Sequence, residues 1–377
     1  MTMAQPRGPD AERQQRKFAF LVWLLLAATT AAQIPWLASM SRLGIDSAYL
    51  ASFFVIANAQ LVIRLRFLPR PEPPPSWWER WVIWPYFTWT VWAGWYLPVG
   101  IADLCFPLRS EVRLFALFGS ALAALYSTGV PYRRVVIREI QIAIEGLPAA
   151  AHNMRLLQLT DLHLGPMVPE RRASRWMDKV NTLDVDHVLL TGDLVASGTE
   201  FIPALTRVLS RLKPRGSIFA IMGNHDYFGQ AGQALIEMHE SLGHTLLRNR
   251  STELCSGLRI AGVDDAWRKL TDLDSALSEV DSLDKVILLS HDPDLFPDSA
   301  AQGVSLQVSG HVHGGQIAIP GLGRSGSILR LFSVPWISGH YRLATSQMWL
   351  GAGVGTTGIP VRVGVPSELV VLKLVPE

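Results

Sequence analysis

One pattern recurs through the C-terminal two thirds of the chain: a short apolar run, followed at once by Asp, Asn or His. Met154 to Leu159 runs into Thr160-Asp161-Leu162-His163-Leu164, and His187 to Leu190 into Thr191-Gly192-Asp193. Ser217 to Met222 leads to Gly223-Asn224-His225-Asp226, and Lys285 to Leu289 to Ser290-His291-Asp292. Val304 to Val308 leads to Ser309-Gly310-His311-Val312-His313-Gly314-Gly315. Apolar runs this short, bounded by turn residues, read as buried strands. Arg171 to Asn181, Phe201 to Leu212, Gln233 to Leu242 and Thr271 to Glu279 read as helices between them. Further strands are expected at Arg134 to Ile144, Leu258 to Val263, Gln347 to Val354 and Glu368 to Leu374. Alternating strands and helices make an α/β domain, which places ligands at strand ends. Residues two apart on a strand point to one side, so Asp161 and His163 are expected to reach one cation.

The N-terminal third has another character. Charged residues are only 18% of the chain and hydrophobic ones 49%, and most of the apolar excess lies before residue 131. Phe18 to Met40, Ser47 to Phe67, Trp81 to Ile101 and Leu114 to Val130 are each long and apolar enough to cross a bilayer, which takes about 20 residues. Of the tryptophans Trp77, Trp78, Trp81, Trp84, Trp89, Trp92 and Trp95, the first few fit an interfacial aromatic belt. Arg7, Arg13, Arg16, Lys17, Arg64, Arg66, Arg70, Arg80, Arg133, Arg134 and Arg138 fall on one side of such a bundle. Arg42, Arg109 and Arg113 fall on the other. The positive-inside rule then puts both ends, and the large C-terminal region, in the cytoplasm. Pro69 to Pro75 reads as a stiff connector. No ionisable residue stands near the middle of a span, which favours an anchor over a transport path. The expected division is 1–130 for the membrane region and 131–377 for the α/β domain.

The strand-end residues Asp161, His163, Asp193, Asn224, His225, His291, His311 and His313 offer nitrogen and oxygen donors and no thiolate. Such a set suits Mn, Fe or Zn, and imidazoles argue against calcium. It is too large for one tetrahedral ion and suits two ions sharing a carboxylate, roughly 3.5–4 Å apart. Cys105 and Cys255 are read as small buried hydrophobes. Taken alone, Asp193 after Thr-Gly and His291 before Asp-Pro read as turn residues; the other blocks lift both to ligands.

In this order, Asp-x-His, Gly-Asp, Gly-Asn-His-Asp, His and Gly-His-x-His resemble the fragments of the calcineurin-like metallophosphoesterases, over roughly Met154 to Leu374. The tail Gly358-Ile359-Pro360-Val361-Arg362 and Pro366-Ser367-Glu368-Leu369 resembles the membrane-anchored branch of that family. The resemblance implies a four-layer α/β/β/α sandwich, here preceded by an all-α transmembrane region of about four helices. It implies one metal held by Asp161, His163 and His313, another by Asn224, His291 and His311, and Asp193 bridging them. His225 would face the phosphate, stabilising the transition state or protonating the leaving group, with Asp226 orienting it. Gly192, Gly223 and Gly310 are expected to let the backbone turn before each ligand.

The activity so implied is a dinuclear-metal phosphoesterase that attacks a phosphoester or pyrophosphate bond with metal-activated hydroxide. The enzyme would be multi-pass in the inner membrane, with its catalytic domain facing the cytoplasm. The bilayer is the expected partner and a lipid-linked phosphoester the natural substrate. Hydrolysis of UDP-diacylglucosamine in lipid A assembly is one activity of the resembling branch. A nuclease is disfavoured because no basic stripe surrounds the blocks. A non-enzymatic sensor or scaffold is disfavoured because no ligand is missing. Leu329 to Ile337 reads as a half-buried strand, or as an apolar lip near the metal centre that touches membrane.

Overall fold

The computed structural model describes residues 27–67, 77, 79–130, 134–281, 285–319, 321–357 and 361–377. The start of the first expected span, the proline-rich connector at 69–75 and Gly358-Ile359-Pro360 of the tail lie outside the described residues. So do Arg7, Arg13, Arg16, Lys17, Arg70 and Arg133. The chain divides into two compact units, one from Met1–Leu65 and Pro85–Tyr126, the other from Arg66–Trp84 and Ser127–Glu377.

The N-terminal unit is helical: α1 (Gln33–Arg42), α2 (Ser47–Phe67), α3 (Trp84–Cys105) and α4 (Ser110–Gly129). Among the described residues, α4 is the one helix that passes as a membrane span by length and composition. Helix α3 has 22 residues, but its Trp, Tyr and Pro side chains lower its mean hydropathy. Its aromatic rings pack edge to face, Trp36 on Trp89 at 6.0 Å and on Trp92 at 5.0 Å, a preferred geometry for aromatic pairs. Arg42, Asp103 and Arg113 meet at one end of the unit. Arg113 grips the buried Asp103 carboxylate through two 2.9 Å bonds. Cys105 is exposed rather than buried, because it closes α3 at that end.

The C-terminal unit has twelve described strands in two six-stranded sheets. The first runs β1 (Val135–Ile144), β12 (Ser367–Pro376), β2 (Arg155–Leu159), β3 (His187–Thr191), β4 (Ile218–Ile221), β5 (Thr245–Leu246). The second runs β10 (Gly339–Leu343), β11 (Ser346–Leu350), β9 (Leu306–Ser309), β8 (Lys285–Leu289), β7 (Leu258–Gly262), β6 (Arg250–Cys255). Side-chain alternation sorts the cores. From the first sheet, Leu157, Leu159, Val188 and Leu190 face helices α5 (Glu170–Val180), α6 (Ile202–Leu209) and α7 (Gly232–Ser241). Leu156 and Leu189 instead join Ile287, Leu289, Leu306 and Val308 of the second sheet. On the second sheet's far face, Val286 and Leu288 meet α8 (Leu273–Leu277), while Met348 and Leu350 meet Phe296 of α9 (Phe296–Ala301). The layers are therefore helix, sheet, sheet, helix. Gln158 ties the sheets together inside, donating to Thr191 Oγ1 at 2.9 Å and to the Ser309 carbonyl at 2.8 Å.

Three strands escape the sequence pattern. β5 is two residues long, and β6 and β10 are edge strands whose polar side chains hide the alternation. Leu329 to Ile337 is not a strand. Its first part is a 3-10 turn, Ile328–Phe332, ended by Ser333 in the left-handed conformation. The apparent alternation arose from separate local contacts: Trp336 packs edge-on between Phe296 and Tyr341.

Candidate metal centre

Every sequence-predicted donor leaves a strand at the same end of the two sheets. Asp161 and His163 follow β2, Asp193 follows β3, and Asn224 and His225 follow β4. From the second sheet, His291 follows β8, and His311 and His313 follow β9. The topology brings all eight together. The donor atoms of Asp161, His163 and His313 lie within 4.8 Å of one another, as do those of Asp193, His291 and His311. The donors of His163, Asp193 and His225 form a third such group.

Asp193 Oδ2 stands 3.5 Å from His163 Nε2 and 3.2 Å from His291 Nε2, so one carboxylate touches both halves of the cluster. His313 Nε2 is 3.3 Å from Asp161 Oδ1. Asn224 Oδ1 is 3.0 Å from His311 Nδ1. The Nε2 atoms of His163 and His313 approach to 3.0 Å. Burial holds His163 down to about 3 and His311 to about 4, and burial followed by the His163 charge holds His313 well below its usual range. Neutral imidazoles keep a lone pair for a cation. His313 Nδ1 is buried and has no hydrogen-bond partner. Converging imidazoles, an orphaned ring nitrogen and two buried carboxylates are what a bound metal pair would satisfy, so the residues fit one.

The acids divide. Burial pushes Asp161 up to about 6. Burial also opposes charge on Asp193, yet His291 and His225 hold that carboxyl well below the usual range. His291 moves the other way: burial opposes its charge, but Asp193 and Asp161 hold it well above the usual imidazole value.

The turns that present these groups are strained. Asp161, His163, Asp193, His311 and His313 all have positive φ, between 46° and 74°. Such backbone costs on the order of 1–3 kcal/mol per non-glycine residue and gathers at functional sites. Asp161 and His163 therefore converge through two left-handed turns, not through the two-residue period of an extended strand. The glycines also act differently from expectation. Gly192 does have φ +91°, but Gly223 and Gly310 do not have positive φ. They supply room: a Cβ on Gly223 would overlap Asp193 Oδ1, and one on Gly310 would overlap Thr160 Oγ1.

Asp226 does not orient His225. Its Oδ1 accepts from the backbone N–H of Leu194 (2.8 Å) and Val195 (3.2 Å), and its Oδ2 from that of Gly223 (2.9 Å). It ties the Asp193 turn to the Asn224 turn. Burial, then the neighbouring Asp193, push this carboxyl up to about 7 against the pull of those amides. His225 is positioned by a main-chain group instead: its Nδ1 meets the Ala196 carbonyl at 2.7 Å. Its Nε2 is 3.4 Å from Thr357 Oγ1.

Sequence reasoning missed Thr357, and also the pair Asp264-Asp265. The signal for the pair was present, because Leu258 to Val263 is another apolar run ending in acids. Asp264 accepts from Tyr227 Oη and, at 2.7 Å, from Arg248 Nε. Asp265 is 1% exposed, and burial pushes it up to about 6. Two residues on, the Trp267 ring lies 5.9 Å from that of His311.

The model of the calcineurin-like phosphoesterase family matches residues 154–315. An uncharacterized metallophosphoesterase of Aquifex aeolicus is 31% identical over 245 residues, 63% of this chain and 91% of that protein. A Danio rerio protein called transmembrane protein with metallophosphoesterase domain is 31% identical over 279 residues, 69% of this chain and 62% of its own. An uncharacterized metallophosphoesterase of Helicobacter pylori is 30% identical over 251 residues, 65% of each chain. The chain thus spans a little under two thirds of the length of the first curated relatives it matches.

Proposed function

The chain belongs to the calcineurin-like phosphoesterase family, and from that premise we propose that it is a metal-dependent phosphoric ester hydrolase working on a membrane-borne substrate. The observation that carries this reading is the convergence of eight donor-bearing residues, from five strand ends of two sheets, on one buried cluster. Asp161, His163 and His313 would hold one divalent ion. Asn224, His291 and His311 would hold the other, with Asp193 between them. Bound ions of this kind supply Lewis acidity, bring the pKa of water to about 7 and offset phosphate charge.

The chain's own groups do the rest. Asn224 contributes a neutral oxygen, which leaves the site more positive for an anionic substrate. The Ala196 carbonyl accepts from His225 Nδ1–H, so the ring exchanges protons at Nε2. An imidazole serves well as a proton donor near neutral pH, and at this place it would protonate the departing oxygen. The three hydrogen bonds that the Asp226 carboxylate accepts from backbone N–H groups keep the Asp193 and Asn224 turns in register.

Several features support a membrane setting: helices α2, α3 and α4 are 20 to 22 residues long, the basic residues are asymmetric, and one relative is named as transmembrane. We read the helical region, to about residue 130, as a multi-pass anchor of about four spans in the inner membrane. The domain from 131 to 377 would face the cytoplasm and take a lipid-linked phosphoester or pyrophosphate. The test is a metal-supplemented screen of lipid pyrophosphates, phosphodiesters and phosphomonoesters with detergent-solubilised protein. Loss of a positioned general acid typically lowers rate by about 10²–10⁴-fold, which is the drop expected of His225→Ala on the responding substrate. If neither His225→Ala nor Asp193→Ala slows metal-dependent hydrolysis, the enzyme reading is wrong.

A further inference from the structure

The turn that carries His311 and His313 does not return directly to a strand. It first makes an excursion, 316–334, that folds on itself. Ala318 bridges Ser327, Ile319 N donates to the Gly326 carbonyl at 2.9 Å, and Ile328 N to the Ile317 carbonyl at 3.0 Å. Ser327 Oγ reaches back to the Gly314 carbonyl. The base is thus fixed beside His313, and residues 321–325 form the tip.

Four of the outward side chains are large and apolar. Ile319 is 61% exposed, Leu322 56%, and Ile328 and Phe332 37% each. Large apolar side chains this exposed, close together on one short loop, mark an interaction surface. Arg324 and Arg330 are exposed among them, and Arg324 is steadied over the Tyr341 ring at 4.7 Å. No Asp or Glu occurs between Asp298 and Glu368. The loop is therefore apolar and cationic with no nearby acid in sequence. The same chemistry rims the site: Phe228, 36% exposed, lies against His225, and Trp267, 47% exposed, lies near His311.

We propose that the 316–334 loop docks on an anionic lipid surface, its apolar side chains entering the acyl boundary and Arg324 and Arg330 meeting the headgroups. Apolar side chains flanked by arginine suit the bilayer interface, where each cation near an anionic leaflet adds to binding. A protein partner would call for acidic side chains or a shaped pocket; a bilayer needs only the mixture the loop presents. The docked loop would hold the bilayer beside the turn bearing His313, so a lipid-borne phosphoester could enter without leaving the membrane. This deepens the reading of the site above and rests on it only for the substrate.

The test reads depth rather than turnover, so either idea can fail alone. The full chain, carrying Cys105→Ser and Cys255→Ser, is reconstituted in nanodiscs and spin-labelled at Leu322→Cys. Glu237→Cys on α7 is the water-exposed reference. In discs containing phosphatidylglycerol, the label at 322 is expected to favour relaxation by oxygen over a water-soluble paramagnetic chelate. The label at 237 is expected to show the reverse. Adding Arg324→Gln and Arg330→Gln should return the 322 ratio toward the reference. A 322 ratio equal to the reference in anionic discs overturns the proposal, and so does equal insertion in purely phosphatidylcholine discs. Concentration-dependent immobilisation in lipid-free detergent would assign the loop to contact between copies of the chain instead.

Discussion

Asp226→Asn separates two ideas about that residue. The side chain keeps its shape but loses one acceptor. If the amide oxygen keeps the Leu194 and Val195 bonds, the amide nitrogen faces the Gly223 N–H, a donor against a donor at 2.9 Å. Leaving the buried Gly223 donor unpaired costs about 1–3 kcal/mol. At about 2–4 °C per kcal/mol for a domain of this size, the thermal midpoint should fall by about 2–12 °C. Hydrogen exchange should speed up at the amide of Gly223. Bound metal should fall with it, because Asp193 and Asn224 sit on the turns Asp226 joins. A variant that melts within 2 °C of the parent, keeps its metal and merely shifts the pH–rate profile would refute this account and restore Asp226 as the partner of His225.

Gly310→Ala would place a methyl group on Thr160 Oγ1 and within 2.5 Å of Asp161 Oδ2. Overpacking costs about 1–3 kcal/mol, and here it is relieved by moving a donor. We expect metal per chain, measured by elemental analysis at fixed free metal, to fall well before the fold is lost; parental metal content would contradict the crowding argument. His239 is fully buried on α7, with Nδ1 3.0 Å from His244 Nδ1, and burial lowers it to about 3. Its folded pKa is depressed, so the unfolded chain binds the extra proton between about pH 6.5 and 3, and stability is lost as pH falls through that window. From pH 6.5 to 5 this amounts to about 1.6 kcal/mol. The parent's thermal midpoint should therefore drop about 3–6 °C further over that interval than that of His239→Leu. Parallel pH profiles would show that the His239 ring does not carry the effect.

Much of the domain was legible because its signals are local. Runs such as Val286 to Leu289 are buried on both faces, so they are apolar throughout and stand out. The edge strands Arg250–Cys255 and Gly339–Leu343 were not legible, since half-solvated edges carry Arg, Glu and His that break the pattern. Leu329 to Ile337 alternated like a strand, but its first part folded as a 3-10 turn, because the glycines around it let each side chain find its own contact. Asp264-Asp265 repeated the run-then-acid signal but lay outside the motif order that drew attention to the other blocks.

What the amino-acid order determined alone was chemical identity: which donors the chain owns, that each closes an apolar strand, and that its N-terminal third is too greasy to lie open to water. Those follow from composition over a few residues, which no distant contact alters. Which donors share a carboxylate, that an alanine carbonyl rather than Asp226 faces His225, and that five donor residues sit in left-handed backbone were decided only when the two sheets met. Distances of 3 Å between residues 150 positions apart, as between His163 and His313, arise from layer packing and strand register, and short stretches of sequence carry no record of either.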